Sequence, residues 1–211
     1  MGTFVCYRKP VWGEGGSAPV AQLDRASDFG SEGWGFKCLQ AHNRIVHFRG
    51  TPMINHDRWM EHALREAELA YKRKEVPVGA IIVHKDRIIG RGYNQVESLK
   101  DPTAHAEMIA ITAAAAHLGN HRFEDCNLYV TLEPCAMCAG AIVLARISRL
   151  VIGASDPKAG ACGTLFNIVQ DKRLNHRVEL VSGIMEAKCS ALLKEFFKKA
   201  RTTGISKPEW N

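Results

Sequence analysis

No apolar run in the sequence is long enough to cross a membrane. Charged residues or histidines interrupt every hydrophobic stretch before the ~20 residues that a spanning helix needs. The first residues also lack the continuous apolar segment of a signal peptide, because residues 7–10 and 13–16 are polar or rich in glycine. We therefore expect a cytoplasmic protein that is neither secreted nor inserted in a membrane.

The cysteines do not favour a disulfide framework, because the chain has seven, an odd number, in 211 residues. Two of them, Cys135 and Cys138, form a CxxC pair, which in a reducing compartment indicates metal or redox chemistry. The formal net charge of +6 is modest but unevenly placed. Residues 188–207 hold six lysines or arginines against Glu195 alone, so a polyanionic partner is worth considering.

The length, with 46% hydrophobic residues, predicts one catalytic domain with a single buried core. Residues 1–52 differ from the rest, since they hold eight of the 18 glycines and their apolar residues follow no sustained period. Residues 18–27 also resemble a peptide made by translating a tRNA gene. We expect residues 1–52 to be an unstructured or non-native extension, and the enzyme domain to span 53–211.

From Met53 onward, helical and extended patterns alternate, which predicts a layered α/β domain. The first helix is indicated by apolar residues spaced by three or four, at Trp59, Ala63, Ala67 and Ala70. A hairpin is expected from strands 78–83 and 87–93. The remaining pattern predicts helices at 103–118, 135–146 and 189–203, and strands at 127–131, 147–153 and 177–181.

Two short motifs carry the chemistry: His105-Ala106-Glu107, and Pro134-Cys135-Ala136-Met137-Cys138 about thirty residues later. Each comes where a strand or loop leads into a helix, so both can meet at helix N-termini. His105, Cys135 and Cys138 supply three ligands for tetrahedral zinc and leave the fourth position for water, as a catalytic site requires. The helix dipole also favours thiolates at this position.

Glu107 is the candidate catalytic residue. It lies two residues from His105, near enough to reach a zinc-bound water without binding the metal itself. Zinc lowers the pKa of such a water from ~15.7 towards ~7, and a base must still take its proton. Glu107 is predicted to accept that proton and to pass protons to the reacting groups.

Other interpretations of the two motifs are weaker. A closed zinc finger needs a fourth ligand at short spacing, but no histidine or cysteine follows Cys138 until Cys162. A redox CxxC leaves His105 and Glu107 without roles. Six other histidines and cysteines lie outside the zinc motif, and we expect them to be ordinary surface or core residues: His117, His121, His176, Cys126, Cys162 and Cys189.

The H-x-E…P-C-x-x-C pattern resembles the zinc deaminases of the cytidine deaminase-like superfamily. Within it, the segments EVPVGA (75–80), DPTAHAE (101–107), TLEPCAMCAGA (131–141) and GASDPKAGACG (153–163) are similar to the bacterial tRNA-specific adenosine deaminases, over about residues 53–201. The resemblance implies a three-layer α/β fold with a mixed five-stranded sheet flanked by helices. It also implies one Zn²⁺ per subunit and a homodimer.

The activity that the resemblance implies is hydrolytic deamination of the wobble adenosine of an arginine tRNA to inosine, through zinc-activated hydroxide. The tRNA anticodon arm would be the partner. Matching positions then suggest substrate contacts at Asn94, Ala106, Asp156, Lys158, Phe197 and Arg201. Plainer roles stay open, since an asparagine can cap a turn, a phenylalanine is more often core and surface lysines are usually only solvated.

This chain departs from the family at the end of its last helix. It has Lys198-Lys199-Ala200-Arg201 where the relatives often carry several arginines, so the strength of RNA contacts there is open. An alternative function is deamination of free guanine, cytosine or a nucleoside by the same zinc chemistry. The residues of the family-like motifs and the basic last helix favour an RNA substrate. A catalytically silent RNA-binding subunit is a further alternative, against which the intact Glu107 argues.

Overall fold

The structure, a computed structural model, describes residues 55–202. The expectation for residues 1–52 therefore lies outside the described residues, as does Lys207. Within the described range, no helix is both long and apolar enough to span a membrane. The elements, in chain order, are α1 (His56–Lys72), β1 (Gly79–His84), β2 (Arg87–Tyr93), α2 (Val96–Leu99), α3 (Ala106–Leu118), β3 (Cys126–Leu132), α4 (Ala136–Leu144), β4 (Arg149–Ala154), β5 (Glu179–Val181) and α5 (Glu186–Thr202).

The first three elements form as their local sequence predicts. The Asn55 side chain caps α1 by accepting a hydrogen bond from the Arg58 N–H at 3.1 Å. The apolar positions predicted for this helix are buried. Lys85 and Asp86 both have positive φ, 47° and 57°, which is the backbone of a tight two-residue hairpin turn between β1 and β2.

The strands form one five-stranded sheet in the order β2-β1-β3-β4-β5. β1 pairs antiparallel with β2 and with β3, whereas β3–β4 and β4–β5 are parallel. The predicted mixed five-stranded sheet is confirmed.

Helices cover both faces of the sheet. Ala80 and Ile82 of β1 belong to the core cluster with Ala110 of α3 and Ile142 of α4. Ile81, one residue along, belongs instead to the cluster on the other face. That cluster includes residues from α1 and α5: Trp59, Met60, Ala63, Leu64 and Cys189. Alternate residues of each strand thus feed two separate cores, and the three-layer α/β architecture is confirmed.

Several predicted boundaries were wrong. The helix predicted from residue 103 begins at Ala106, because Asp101 accepts hydrogen bonds from the Thr103 N–H and hydroxyl, which forms a turn, and His105 stays extended. The short helix α2 lies between the predicted strand 87–93 and the predicted helix 103–118, where no helix was predicted. The last helix begins at Glu186 rather than 189, and the last strand covers only Glu179–Val181.

Gly92 lets α3 lie directly on β2. A Cβ at this position would stand 2.2 Å from the carbonyl oxygen of Ala106 and 2.7 Å from the Ala110 nitrogen, both backbone atoms. Backbone atoms of a packed helix cannot give way as a flexible side chain can. Any side chain at position 92 would therefore push away the first turn of α3.

We expect Gly92→Ala to destabilise the protein by about 3 kcal/mol, at the upper end of the cost of overpacking. The matched control is Gly140→Ala in α4, where a Cβ meets nothing within 4 Å. It should be neutral or stabilise by up to about 1 kcal/mol, because alanine is the better helix former. Urea unfolding of the two variants measures both values. Equal stabilities would refute the close approach.

Candidate active site

Three side chains predicted to bind metal come together at one end of the sheet. His105 lies directly before α3, and Cys135 directly before α4, while Cys138 is in the first turn of α4. The His105 Nδ1 atom lies 3.7 Å from the Cys135 sulfur and 3.5 Å from the Cys138 sulfur. The three ligand atoms lie within 4.8 Å of one another. Nδ1, rather than Nε2, is thus the imidazole atom turned towards the thiols.

This arrangement fits zinc. With Zn–S near 2.3 Å and Zn–N near 2.0–2.1 Å, the nitrogen–sulfur edge of a tetrahedral site is about 3.6 Å, close to both measured distances. One imidazole and two thiols are also ligands that zinc prefers. Among the described residues, no other three potential ligand atoms lie this close to one another. The structure thus supports the predicted trio as a metal site.

Helix N-termini favour negative charge at this site. His105 and Cys135 occupy the N-cap positions of α3 and α4, both with extended backbone, so the positive ends of two helix dipoles adjoin the trio. A hydrogen bond from the Cys138 thiol, and then one from His105, lower the pKa of Cys135 below its ordinary value. This shift favours the thiolate, the form in which cysteine binds a metal.

Glu107 lies beside the trio without joining it. Its side chain is in the first turn of α3, is only 3% exposed and forms a hydrogen bond with Cys138. Burial raises the pKa of Glu107 above its ordinary value, although the nearby His105 acts in the opposite direction. A buried carboxyl group with a raised pKa holds a proton more readily than a surface glutamate, which suits a general acid and base.

Ala106 directly follows His105, and a backbone hydrogen bond links the segment that contains Asn94 to the segment that contains His105. The loop after β2 is held by a hydrogen bond from the Asn94 N–H to the Val78 oxygen at 3.0 Å. The next residue, Gln95, donates to the oxygen of Ala104, which directly precedes His105, at 2.9 Å. Ala106 begins α3, so its N–H has no acceptor within the helix and is suited to a ligand.

Asp156 and Lys158 lie in a loop that is tied to the metal site by Glu133. The sequence motifs did not assign a role to this buried carboxylate. It accepts hydrogen bonds from the N–H groups of Asp156 at 3.1 Å, Cys162 at 3.0 Å and Thr164 at 3.0 Å, and from the Thr164 hydroxyl. Burial raises the pKa of Glu133, but these hydrogen bonds together hold it below its ordinary value.

We expect Glu133→Gln to destabilise the protein by about 2 kcal/mol or more. Each carboxylate oxygen accepts at least one backbone N–H, so an amide NH₂ in either place faces a donor that cannot rotate away. The exposed Glu68→Gln on α1 is the control and should change stability by less than about 0.5 kcal/mol. Urea unfolding measures both. An unchanged Glu133→Gln protein would show that the loop does not depend on this carboxylate.

Phe197 and Arg201 lie on α5, and the structure answers one open question about them. Phe197 is 46% exposed, so it is not a core residue. Its ring contacts that of Phe196 edge-on, with centroids 5.5 Å apart. No contact recorded within residues 55–202 joins either side chain to the metal trio. The neighbouring Lys199 bonds to Glu195 at 2.9 Å and lies 5.1 Å from the Tyr71 ring centre.

The histidines and cysteines predicted to be ordinary surface or core residues lie outside the trio. Cys126, Cys162 and Cys189 are buried free cysteines. His117 and His121 are exposed, and the ring of His176 makes a hydrogen bond with the carbonyl oxygen of Ile147 at 2.8 Å; none of the three belongs to the trio.

Known proteins are similar to this chain in sequence and in fold. Residues 54–201 match the model of the MafB19-like deaminase family. The tRNA-specific adenosine deaminase of Bacillus subtilis (strain 168) is 46% identical over 149 residues, which cover 71% of this chain and 92% of that protein. The tRNA-specific adenosine deaminase of Aquifex aeolicus (strain VF5) is 52% identical over 143 residues, 68% of this chain and 94% of that one.

A solved structure from a study of A-to-I editing by tRNA deaminases at the wobble position of transfer RNA is also similar. It has 44% sequence identity and a TM-score of 0.62, and the match covers 64% of this chain and 99% of that one. The family model spans most of the chain, and the relatives match over nearly their whole length. The chain therefore belongs to the tRNA-specific adenosine deaminases, within the cytidine deaminase-like superfamily.

Proposed function

We propose that this chain hydrolyses the wobble adenosine of an arginine tRNA to inosine, with one zinc ion per subunit. The observation that carries the proposal is the His105, Cys135 and Cys138 trio with the buried Glu107 beside it, in a chain that belongs to this family. The site residues and the family membership together support zinc as the metal and the wobble adenosine as the target. The arginine tRNA rests on the family resemblance.

The proposed mechanism assigns proton transfer to Glu107. Zinc held by the trio supplies Lewis acidity, so that hydroxide is available at neutral pH. Water adds to C6 of adenine, and Glu107 takes a proton from it and delivers it to the ring nitrogen. Glu107 then takes the proton of the new C6 hydroxyl group and delivers it to the amine, which leaves as ammonia when the C6–N bond breaks. The products are inosine and ammonia, and Glu107 returns to its starting state.

The same proposal gives roles to the other predicted residues. Asn94 and the free N–H of Ala106 hold the flipped nucleotide, and Asp156 and Lys158 adjoin it from their loop. Phe197 and Arg201 contact the anticodon arm, together with the basic side chains of α5. The exposure of Phe197 supports its role, and the backbone bond from Gln95 to Ala104 supports that of Asn94, because it joins the residues beside Asn94 and His105.

One experiment separates this function from its alternatives. The zinc-loaded full chain is incubated with total bacterial tRNA and, separately, with free guanine, cytosine and adenosine. Inosine at the wobble position of arginine tRNA, with little ammonia from the free compounds, is the expected result. Ammonia from guanine or cytosine alone would support the free-base alternative, and inosine in a different tRNA would correct only the acceptor. The absence of any product would favour a silent RNA-binding subunit.

The basic face of α5 is expected to contribute binding rather than chemistry. Lys198→Glu should raise KM severalfold while kcat stays within about twofold, because phosphate contacts position the RNA without reacting. The slope of log affinity against log salt concentration should fall by about one. A charge-matched control is Arg87→Glu, since Arg87 is at the opposite end of β2 from Asn94. Equal effects of both variants would show that only net charge matters.

We also propose that the enzyme is a cytoplasmic homodimer whose deaminase domain spans residues 53–211. The family resemblance supports the dimer. Sedimentation equilibrium tests this state, and a mass of one subunit would contradict it. A cytoplasmic location follows from a tRNA substrate.

A further inference from the structure

Glu75 is a buried acid with no role in the proposed chemistry. It lies between α1 and β1 and is only 1% exposed. Its carboxylate accepts three hydrogen bonds, all from the segment that follows β2 and includes α2. The donors are the Ser98 N–H at 2.7 Å, the Glu97 N–H at 3.1 Å and the side-chain amide nitrogen of Asn94 at 3.4 Å.

The third of these hydrogen bonds restricts the Asn94 side chain. An ionised carboxylate only accepts hydrogen bonds, so Asn94 must turn its NH₂ group towards Glu75 and its carbonyl oxygen away. Without such a partner, the amide could rotate by half a turn and exchange its donor and acceptor. The main chain beside it is fixed as well, through the bonds to Val78 and from Gln95 to Ala104. Both the position and the polarity of this amide are thus determined.

We propose that Glu75 is a positioning residue for substrate recognition, which acts by holding the Asn94 amide in the one orientation that binds the target nucleotide. The inference rests on the proposed function, in which Asn94 contacts that nucleotide. A purely structural role is the competing explanation, because the bonds to Glu97 and Ser98 also cap the short helix α2. The two roles differ in whether the effect of Glu75 passes through Asn94.

A double-mutant cycle tests this dependence. Glu75→Gln keeps the shape but adds a donor, so the orientation of Asn94 is no longer unique. In the otherwise native chain it should lower kcat/KM on an anticodon stem-loop by about 10- to 100-fold, the cost of misplacing a substrate-positioning group. In an Asn94→Ala background the same change should cost less than about twofold. Equal losses in both backgrounds would overturn the proposal.

The control for this cycle is Glu97→Gln, an exposed glutamate of the same short helix whose side chain pairs with Lys100. It should leave kcat/KM unchanged within about twofold. Zinc content should stay near one per chain in all variants. If Glu75→Gln does not fold, Glu75→Asp replaces it, since a carboxylate one methylene shorter remains acceptor-only but loses its reach to Asn94.

A second readout needs no substrate. In ¹⁵N-resolved NMR spectra, the two side-chain N–H signals of Asn94 are identified by their loss in Asn94→Ala. We expect Glu75→Gln to shift these signals, and Glu97→Gln to leave them in place. Unchanged signals in Glu75→Gln would overturn the inference. Failure of the wild-type chain to form inosine would instead overturn the proposed function, so the two failures are distinguishable.

Discussion

Replacing Glu107 with glutamine is expected to lower kcat by about 100-fold or more, while zinc content and tRNA affinity stay close to those of the wild type. The amide keeps the size of the buried side chain and fills the same space beside Cys138. It cannot accept and release a proton near neutral pH, so the transfers from water to the ring nitrogen and the leaving amine lose their carrier. A loss of this size is typical of a missing general acid or base.

Metal content, binding of an anticodon stem-loop and single-turnover deamination should be measured on one preparation of Glu107→Gln. The control is Glu66→Gln, since Glu66 is also buried, at 8% exposure, but pairs with Arg91. Near-normal turnover would mean that another group moves the protons. Loss of zinc would mean that Glu107 is a ligand, contrary to its position beside the trio.

Removal of a zinc ligand should affect the metal as well as the activity. In Cys138→Ala only two of the three ligands remain, so we expect zinc to fall from about one per chain to less than about a tenth. The melting temperature, Tm, should drop by about 10 °C or more, because a domain of this size loses about 2–4 °C for each kcal/mol. Deamination should fall to background.

Cys189→Ala is the matched control, because Cys189 is equally buried, at 1% exposure, but belongs to the core on the other face of the sheet. It should retain its zinc and its activity. Elemental analysis and thermal unfolding of both variants, with and without a chelator, complete the test. A Cys138→Ala protein with normal zinc content would show that the metal binds elsewhere.

The candidate metal site was predictable because its residues lie in two short segments. His105 and Glu107 are two residues apart, Cys135 and Cys138 are three apart, and both pairs begin helices. The geometry of a helix start therefore determines the relative position of the two side chains in each pair before any tertiary contact is known. The hairpin was predictable for a similar reason, since two residues between β-rich runs leave little choice of turn.

The supporting acids were not predictable in this way. Glu75 contacts Asn94 across 19 residues, and Glu133 contacts Thr164 across 31. Both lie in segments that resemble the family, but nothing in those segments says which residue either carboxylate contacts. The contacts of both acids form only when the sheet is assembled. The start of α3 was misplaced for a different, local reason, because the turn formed by Asp101 and Thr103 competes with helix over the same stretch.

The placement of the metal ligands on two different helices has a consequence for synthesis of the chain. His105 begins the helix that lies on the β1–β2 hairpin, whereas Cys135 and Cys138 begin the helix that joins the parallel strands β3 and β4. The hairpin and its helix are made first, and the thiols follow 30 and 33 residues later. At about 5–20 residues per second, translation separates the imidazole from the last thiol by roughly two to seven seconds. During that interval the nascent chain offers only one of the three proposed ligands, the His105 nitrogen, so the trio is complete only after Cys138 has been made.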